Sequence, residues 1–251
     1  MRIIMIFMIL LAAVPSMAQE DETLTVIEEG VQIIIRVDDP EFMLDTLSVI
    51  LERAESLELV EMQVQIIGEE TIELQFPGVE RLPRDVIETL TQRGLLEFVD
   101  FSGIQRDFTG ELINTSAQVA RGLVDVDSAY QPFTGQPFTT IITSASLETV
   151  EVVQDTTLNA WNILFTIREE DQETIGTFTQ RHIGEKIAIV MDGLVLYAPV
   201  VQDPFYLSGV ITNNFTLEEA TQLAIQLRSG ELPTAITIIS TDTYQTLGFG
   251  N

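Results

Sequence analysis

The stretch that decides the fold is residues 215–233, FTLEEATQLAIQLRSGELP. Thr216, followed three residues later by Glu219, has the capping-box pattern, in which each side chain accepts a hydrogen bond from the other residue's backbone N–H. Gly230 suits the left-handed conformation that closes a helix, and Pro233 cannot continue one. Apolar residues recur at helical spacing, at Leu217, Ala220, Leu223, Ala224 and Leu227. The stretch therefore predicts a helix that begins at about Thr216, lies on an apolar surface and stops sharply.

The segments before this helix predict two α+β modules. Residues 31–101 give the order strand, helix, strand, strand, helix, strand, which is the ferredoxin-like (split βαβ) order of an antiparallel sheet with both helices on one face. From residue 139 a similar order recurs. Its clearest signal is a pair of alternating strands around Asp192-Gly193, a dipeptide that fits a two-residue hairpin turn. We therefore predict an α+β fold of two ferredoxin-like modules.

The first residues, MRIIMIFMILLAAVPSMAQ, combine one Arg, an apolar run and small residues where a signal peptidase cuts. They predict a cleaved signal peptide and an extracytoplasmic protein of the periplasm or cell envelope. A membrane anchor is the alternative, although the apolar run is shorter than the roughly 20 residues that span a bilayer. The predicted boundaries are a signal peptide at 1–18, a first module at 19–102, a connecting segment at 103–138, a second module at 139–240 whose last strand could return to the first, and a tail at 241–251.

The composition excludes several classes of function. With 39 acidic and 12 basic residues, the formal net charge is −27, a field that repels nucleic acid and anionic lipid headgroups. Basic peptides or divalent cations would be attracted, but we favour the simpler role of keeping an exported protein soluble. The absence of cysteine excludes disulfides, thiol catalysis and cysteine-based metal sites.

The sequence also lacks the residue patterns of an enzyme. The only histidine, His182, lies near a predicted helix end, where interaction with the helix dipole explains it better than catalysis or metal binding. Acidic pairs such as Glu69-Glu70 are expected by chance at this acidity, and none has an apolar setting that would raise a pKa for acid catalysis. Asp125 and Asp127 alternate, but the glycine and final glutamate of a calcium loop are missing. We therefore predict no enzymatic activity, no cofactor and no metal; catalysis by a carboxylate pair is the least favoured alternative.

Several segments resemble the first large extracytoplasmic domain of SecD, the accessory membrane subunit of the Sec preprotein translocase. They are QFPGV (75–79), RGLLEFVDF (93–101), GEKIAIVMDGLVLYAPVV (184–201), NFTLEEATQLAIQLRSGELP (214–233) and YQTLG (244–248). The similarity runs over about residues 30–248. The matching residues, which we expect to be mainly structural, are Pro77, Gly78, Gly94, Asp192, Gly193, Ala198, Pro199, Phe215, Glu218, Glu219, Ala220, Gly230, Leu232 and Pro233.

The resemblance implies a base subdomain, a mobile head subdomain and a role in late protein export. Such a domain would hold unfolded or translocating polypeptide, or dock on membrane subunits of the Sec translocon. We expect an apolar groove with Phe133, Phe138, Tyr197 and Phe205 as polypeptide contacts, although each of them also fits an ordinary core aromatic. The alternative is a non-catalytic interaction module of the cell envelope that has kept the fold and diverged in function.

The sequence also departs from the family pattern. Family members continue into transmembrane helices with proton-conducting residues, and this sequence ends at Asn251, so none of those residues is carried over and proton conduction is not expected. Thr143-Ser144 stands where the family often has Thr-Gly. Tyr244-Gln245 stands where the family has Gly-Pro before Thr-Leu-Gly.

Overall fold

The computed structural model describes residues 24–124, 136–156 and 160–249, so the predicted signal peptide lies outside the described residues. The strands are β1 (Leu24–Val37), β2 (Gln63–Ile67), β3 (Thr71–Pro77), β4 (Leu96–Phe101), β5 (Thr140–Thr143), β6 (Leu147–Asp155), β7 (Ala160–Ile167), β8 (Lys186–Met191), β9 (Leu194–Tyr197), β10 (Ser208–Phe215) and β11 (Ile236–Phe249). The helices are α1 (Met43–Ser56), α2 (Arg84–Thr91), α3 (Ser116–Ala120), α4 (Glu169–Arg181) and α5 (Leu217–Ser229), with short 3₁₀ turns at Pro40–Phe42 and Ser144–Ser146.

The chain divides into two compact units. Among the described residues, unit 1 comprises 24–92 and 233–249, and unit 2 comprises 93–124, 136–156 and 160–232. The strands form three sheets in which every pairing is antiparallel, so the predicted α+β class is confirmed. No helix in the described part of the chain combines the length and apolarity needed to cross a membrane.

Unit 1 is a four-stranded sheet in the order β11-β1-β3-β2. This is the ferredoxin-like order, with β11 in the place of the fourth strand. The sequence pattern predicts that the strand LLEFVDF (95–101) takes this place and that the module ends at residue 102. Instead β4 pairs with β5 and β8 in unit 2. Five of its six residues are buried, and the long pairing of β1 with β11 fills the position that β4 was expected to occupy in unit 1.

The core of unit 1 follows from strand alternation. Every second side chain of β1 from Val31 to Val37 is buried, as is every second one of β3 from Ile72 to Phe76. These side chains share one face of the sheet because residues two apart in a strand point the same way. Ile50 of α1 and Leu90 of α2 are fully buried too, which fits helices that cover this face.

A buried arginine stabilises the end of α2. Arg53 of α1 is fully buried, and its Nη1 donates to the carbonyl oxygens of Thr89 at 3.2 Å, Leu90 at 3.4 Å and Gln92 at 2.5 Å. The last carbonyls of a helix have no partner within the helix and carry its negative dipole end. Arg53 therefore supplies both the missing donors and a positive charge at the point where the chain leaves unit 1.

Unit 2 divides its strands between two sheets, β10-β7-β6 and β5-β4-β8-β9. One apolar cluster contains Leu96, Phe98, Ile163, Phe165 and Ile189, and residues of α5 pack into it. The rings of Phe98 and Phe165 lie 5.3 Å apart between centroids. The recurrence predicted from residue 139 thus takes the form of antiparallel strands in two sheets that share a core.

The helix predicted from residues 215–233 is confirmed. Thr216 is the N-cap of α5: its backbone N–H donates to Glu219 Oε2 at 2.8 Å, and the Glu219 N–H donates to Thr216 Oγ1 at 3.2 Å. Gly230 follows the helix with φ of 76°, the left-handed value that favours glycine. Leu217 is half exposed, contrary to the predicted apolar stripe, but the other four residues of the stripe are buried.

Gly30→Ala tests the packing of the unit 1 sheet. A Cβ on Gly30 would overlap the carbonyl oxygen of Phe76 and meet the Tyr244 ring at 3.0 Å. Because β1 is central in its sheet, the backbone cannot move without disturbing both neighbours. We expect a loss of about 2–4 kcal/mol in the free energy of unfolding, measured by urea denaturation.

Gly68→Ala is the matched control. Gly68 has φ of 67° but no atom within 4 Å of an added Cβ, so its replacement adds only backbone strain of about 1–2 kcal/mol. Equal losses for the two variants would contradict the packing argument.

Candidate functional site

An apolar groove lies within unit 2, beside the outer edge of β10. Its volume is about 620 Å³, within the range of ligand-binding clefts. The groove is lined by core residues of β4, β7 and β8, by Tyr197, by residues 208–211 of β10, and by the segment after β9. The core residues are Phe98, Phe165, Ile187 and Ile189, and the segment after β9 contributes Pro199, Val200, Val201, Gln202, Asp203 and Phe205. Among the lining residues in the described chain, Asp203 alone carries a charge. The groove can therefore accept apolar or uncharged groups without burying an ion pair.

The groove brings together two of the four predicted aromatic contacts. Tyr197 and Phe205 both line it and are both partly buried. Phe138 does not, because it is 4% exposed in a separate core cluster, with its ring 4.8 Å from Phe101 and 5.9 Å from Phe108. Phe133 lies outside the described residues.

The segment after β9, residues 198–207, contributes lining residues to the groove, and two contacts attach it to α4. The backbone N–H of Phe205 donates to Thr179 Oγ1 at 3.2 Å. The ring of Tyr206 lies directly against Gly176, where any Cβ would overlap it. Val200, Leu207 and Val210 are 42%, 65% and 48% exposed, which leaves apolar side chains at the solvent around the groove. The segment after β9 is therefore attached to α4 by two contacts, and the contact of Tyr206 requires glycine at position 176.

Tyr197 connects the end of β9 to β10. Its hydroxyl accepts a hydrogen bond from the Thr212 N–H at 3.0 Å and lies 3.5 Å from the carbonyl oxygen of Val210. Burial raises the pKa of the Tyr197 phenol, so the hydroxyl keeps its proton at neutral pH.

Several motif residues build the frame of unit 2. Asp192 has φ of 49° and Gly193 φ of 84°, the positive values of the predicted two-residue hairpin between β8 and β9. The Asp192 carboxylate also accepts from the N–H groups of Gly94 at 3.1 Å and Leu95 at 2.8 Å. Asp192 therefore fixes the start of β4 as well as the turn.

The other motif residues lie at the ends of elements. Pro199 O accepts from the Ile187 N–H at 3.0 Å, and Ala198 precedes it. Leu232 is buried, and its N–H donates to Arg93 O at 2.8 Å just before Pro233. In unit 1, Pro77 ends β3 and the Gly78 N–H donates to Glu29 O at 2.8 Å. Around α5, Phe215 ends β10 opposite Trp161, Glu218 and Glu219 lie in the first turn, and Ala220 is buried.

Unit 2 contains a buried carboxyl group that was not predicted from the sequence. Glu97 of β4 is fully buried; its Oε1 accepts from Thr115 Oγ1 at 2.5 Å and from Thr140 Oγ1 at 2.7 Å. Its Oε2 has no hydrogen-bond partner among the described residues. Burial raises the pKa of Glu97, and the two threonine hydrogen bonds and the Arg121 charge offset part of that rise. An acid inside the apolar run LLEFV was the signal that could have revealed it.

Glu97 also explains a helix within the predicted connecting segment. Thr115 is the N-cap of α3 and forms a capping box with Gln118. Thr140 Oγ1, which donates to Glu97, accepts from the Ala117 N–H at 3.1 Å. The carboxyl group therefore joins β4, β5 and the start of α3 in one hydrogen-bond network.

The described residues contain no group of side chains that could hold a metal ion. His182 is the C-cap of α4: its ring stacks on Phe178 and its Nδ1 lies 2.8 Å from Phe178 O, a helix-end position as predicted. Asp125 and Asp127 lie outside the described residues.

Comparison with known proteins relates this chain to SecD and SecDF. Residues 123–234 match the family model described as SecDF, P1 head subdomain. The protein translocase subunit SecD of Dictyoglomus turgidum is 30% identical over 205 residues, which cover 81% of this chain and 42% of that protein. SecD of Thermobaculum terrenum is 26% identical, with 81% and 48% covered. The chain carries a P1 domain of the SecD family.

Solved structures show the same fold. SecDF in a super-membrane-facing form superposes with a TM-score of 0.67 at 24% identity, covering 87% of this chain and 31% of that one. A second SecDF structure, described as a membrane component that enhances protein export, gives a TM-score of 0.62 and covers 83% of this chain and 98% of its own. The chain thus spans less than half of the two SecD relatives but nearly all of one solved SecDF fragment.

Asp192→Ala tests the double role of this motif residue. The substitution removes the acceptor for two backbone N–H groups and places alanine at a positive φ. We expect a loss of about 2–4 kcal/mol in the free energy of unfolding, measured by urea denaturation. Asp192→Asn tolerates the positive φ and keeps one acceptor oxygen, so its loss is expected to be about half as large. A loss near zero for Asp192→Asn, with the loss for Asp192→Ala limited to about 1–2 kcal/mol of backbone strain, would show that the hydrogen bonds contribute little.

Glu97→Gln tests the buried carboxyl group through pH. The folded protein holds the Glu97 proton more tightly than the unfolded chain, because its folded pKa is raised. The stability that this proton contributes is present below the unfolded pKa and is lost as pH rises through the folded pKa. We expect the stability of the native protein to fall, relative to Glu97→Gln, as pH increases from the ordinary glutamate pKa toward neutrality.

The measurement is a series of denaturation curves across that pH range. Glu148→Gln removes an equal charge at an exposed position of β6 and serves as the control, with a pH profile parallel to the native one. A parallel profile for Glu97→Gln would refute the role of this group.

Proposed function

We propose that this P1 domain assists protein export by holding extended, unfolded polypeptide in the groove of unit 2. The observation that supports this most directly is the groove itself, an open apolar cleft with a single charged lining residue and exposed apolar side chains around it. Its place within a domain of the SecD family supports the same function.

The physical character of the groove suits a transient client. Unfolded chains expose the apolar side chains that folded proteins bury, and removing about 100 Å² of apolar surface from water is worth about 2.5 kcal/mol. A short contact of this kind captures many sequences weakly. Weak capture suits a polypeptide that must continue to move.

Net charge selects among the clients. At a formal charge of −27 the chain repels acidic segments and attracts neutral or basic ones. Asp203 adds negative charge at the groove. We therefore expect basic and apolar segments to be held in preference to acidic ones, with the preference weakening as salt increases.

The relatives supply the wider context of the proposal. They are named as protein translocase subunits, and a solved SecDF is described as enhancing protein export. By analogy, we propose that this domain works outside the cytoplasm beside the Sec translocon, and that docking on translocon subunits accompanies polypeptide binding. The competing function is a non-catalytic envelope module that binds one folded partner.

Site-specific photo-crosslinking tests polypeptide binding. A photoreactive amino acid is placed in turn at Phe205 and Val210 of the groove, and at Ile183 as a control. Ile183 is 54% exposed and Val210 is 48% exposed, so the control matches in exposure and apolarity but does not line the groove. The client is a secretory protein kept unfolded by reduction and alkylation of its cysteines.

We expect several-fold more crosslinked client from the two groove positions than from the control. With the probe at Phe205, Val210→Asp is expected to remove that excess, because a buried carboxylate opposes apolar contact. The same probes in an envelope fraction report the partners. Recovery of a single folded protein, without client or translocon subunits, would favour the interaction module and overturn the export function.

A further inference from the structure

The edge of β10 offers the groove a way to recognise the client of the proposed function, on which this mode of recognition rests. β10 is an edge strand of the sheet β10-β7-β6. Gly209 pairs with Phe165 and Ile211 with Ile163, and the Ile167 N–H donates to Leu207 O at 2.9 Å. The odd-numbered residues of β10 therefore direct their backbone N–H and C=O groups toward β7. The alternation of a strand then directs those of Val210 and Thr212 away from the sheet.

The contacts of Tyr197 confirm this direction. The groups that its hydroxyl approaches are the Thr212 N–H at 3.0 Å and the Val210 carbonyl at 3.5 Å, both on the outer edge. A distance of 3.5 Å is long for an O–H···O hydrogen bond. One side-chain hydroxyl therefore occupies the place of a neighbouring strand, and it satisfies the carbonyl only weakly.

We propose that an extended segment of client polypeptide pairs with the outer edge of β10 at residues 208–212 and displaces the Tyr197 hydroxyl. Strand addition is a known mode of peptide recognition in which the main chain supplies affinity and alternate side chains enter pockets. The client's backbone offers the donors and acceptors that the edge requires. Recognition through the backbone depends little on sequence, as a general export client demands.

The side chains of β10 agree with this mode. Ile211 is fully buried, and Gly209 lies against Phe165, where an added Cβ would come within 2.5 Å of the ring. Val210, on the opposite face, is half exposed. The side chains of an added strand would thus alternate between the buried face of Ile211 and the half-exposed face of Val210. The single lining charge, Asp203, favours a neutral or basic client over an acidic one.

N-methylated peptides separate backbone pairing from apolar contact. The probe is a short peptide of alternating valine and threonine with a lysine at each end, and its analogue is N-methylated at alternate residues along one edge. Both carry the same side chains, but the analogue has lost the N–H groups of that edge. Binding to the full chain is measured by fluorescence anisotropy, with analogues methylated on each edge in turn.

We expect one of the two methylated analogues to bind at least about tenfold more weakly than the parent peptide, because it loses more than one backbone hydrogen bond. Equal binding of all three peptides would overturn strand pairing and leave the apolar groove as the binding site. Failure of all three to bind would overturn the proposed function itself.

Two variants of the protein give an independent readout. Thr212→Pro removes an outward N–H from an edge strand, where proline is tolerated, and Thr212→Val keeps that N–H as the matched control. We expect weaker binding of the parent peptide by Thr212→Pro alone. Tyr197→Phe frees the edge while keeping the ring and should bind the parent peptide several-fold more tightly; no gain would overturn the displacement of the hydroxyl.

Discussion

The pairing of β1 with β11 is the constraint on which the rest of the structure depends. It runs from Leu24 opposite Phe249 to Val37 opposite Ile236, so the two ends of the described chain lie side by side. Without β11, the sheet of unit 1 would have three strands and β1 would become an exposed edge. Unit 2 must therefore be an insertion between α2 and β11. The sharp stop of α5 follows from this insertion, because the chain must leave unit 2 for β11. Gly230 ends the helix, the Leu232 N–H donates to Arg93 O, and Pro233 follows directly.

Local signals in the sequence were sufficient to predict those elements that are stabilised by neighbouring residues. The capping box and glycine stop of α5 and the Asp192-Gly193 hairpin depend on neighbouring residues, and both were predicted correctly. The partner of β4 depends on which distant strands compete for it. Leu96–Phe101 reads as a good fourth strand for unit 1, but β11 takes that place. The sequence allowed the last strand to return to the first module, but no local pattern showed that it would replace β4. Phe138 shows the same limit, because an aromatic that faces a groove and one that fills a core have the same sequence signature.

The candidate site follows from strand geometry more than from residue identity. Protein sheets commonly protect their edges with charges, prolines or bulges, because an open edge pairs with other chains. β10 has a register irregularity between Ile211 and Phe215 and a positive φ at Asn214, which limit its open edge to a few residues. Over those residues the Tyr197 hydroxyl covers the edge, and the proposed client strand would displace it. A short edge with a removable cap binds a partner strand reversibly, whereas a long open edge would promote aggregation.

In the proposed function, the acidity of the chain and apolar capture of polypeptide act together. A groove that binds apolar segments also exposes apolar surface, which carries a risk of self-association. A formal charge of −27 opposes that association, because copies of the chain repel each other over about a Debye length, 8 Å at physiological salt. A basic or neutral client does not experience this repulsion. In the proposed function, the same charge that disfavours nucleic acid and acidic surfaces would therefore let the groove remain open to a passing polypeptide while keeping the groove of one molecule away from that of the next.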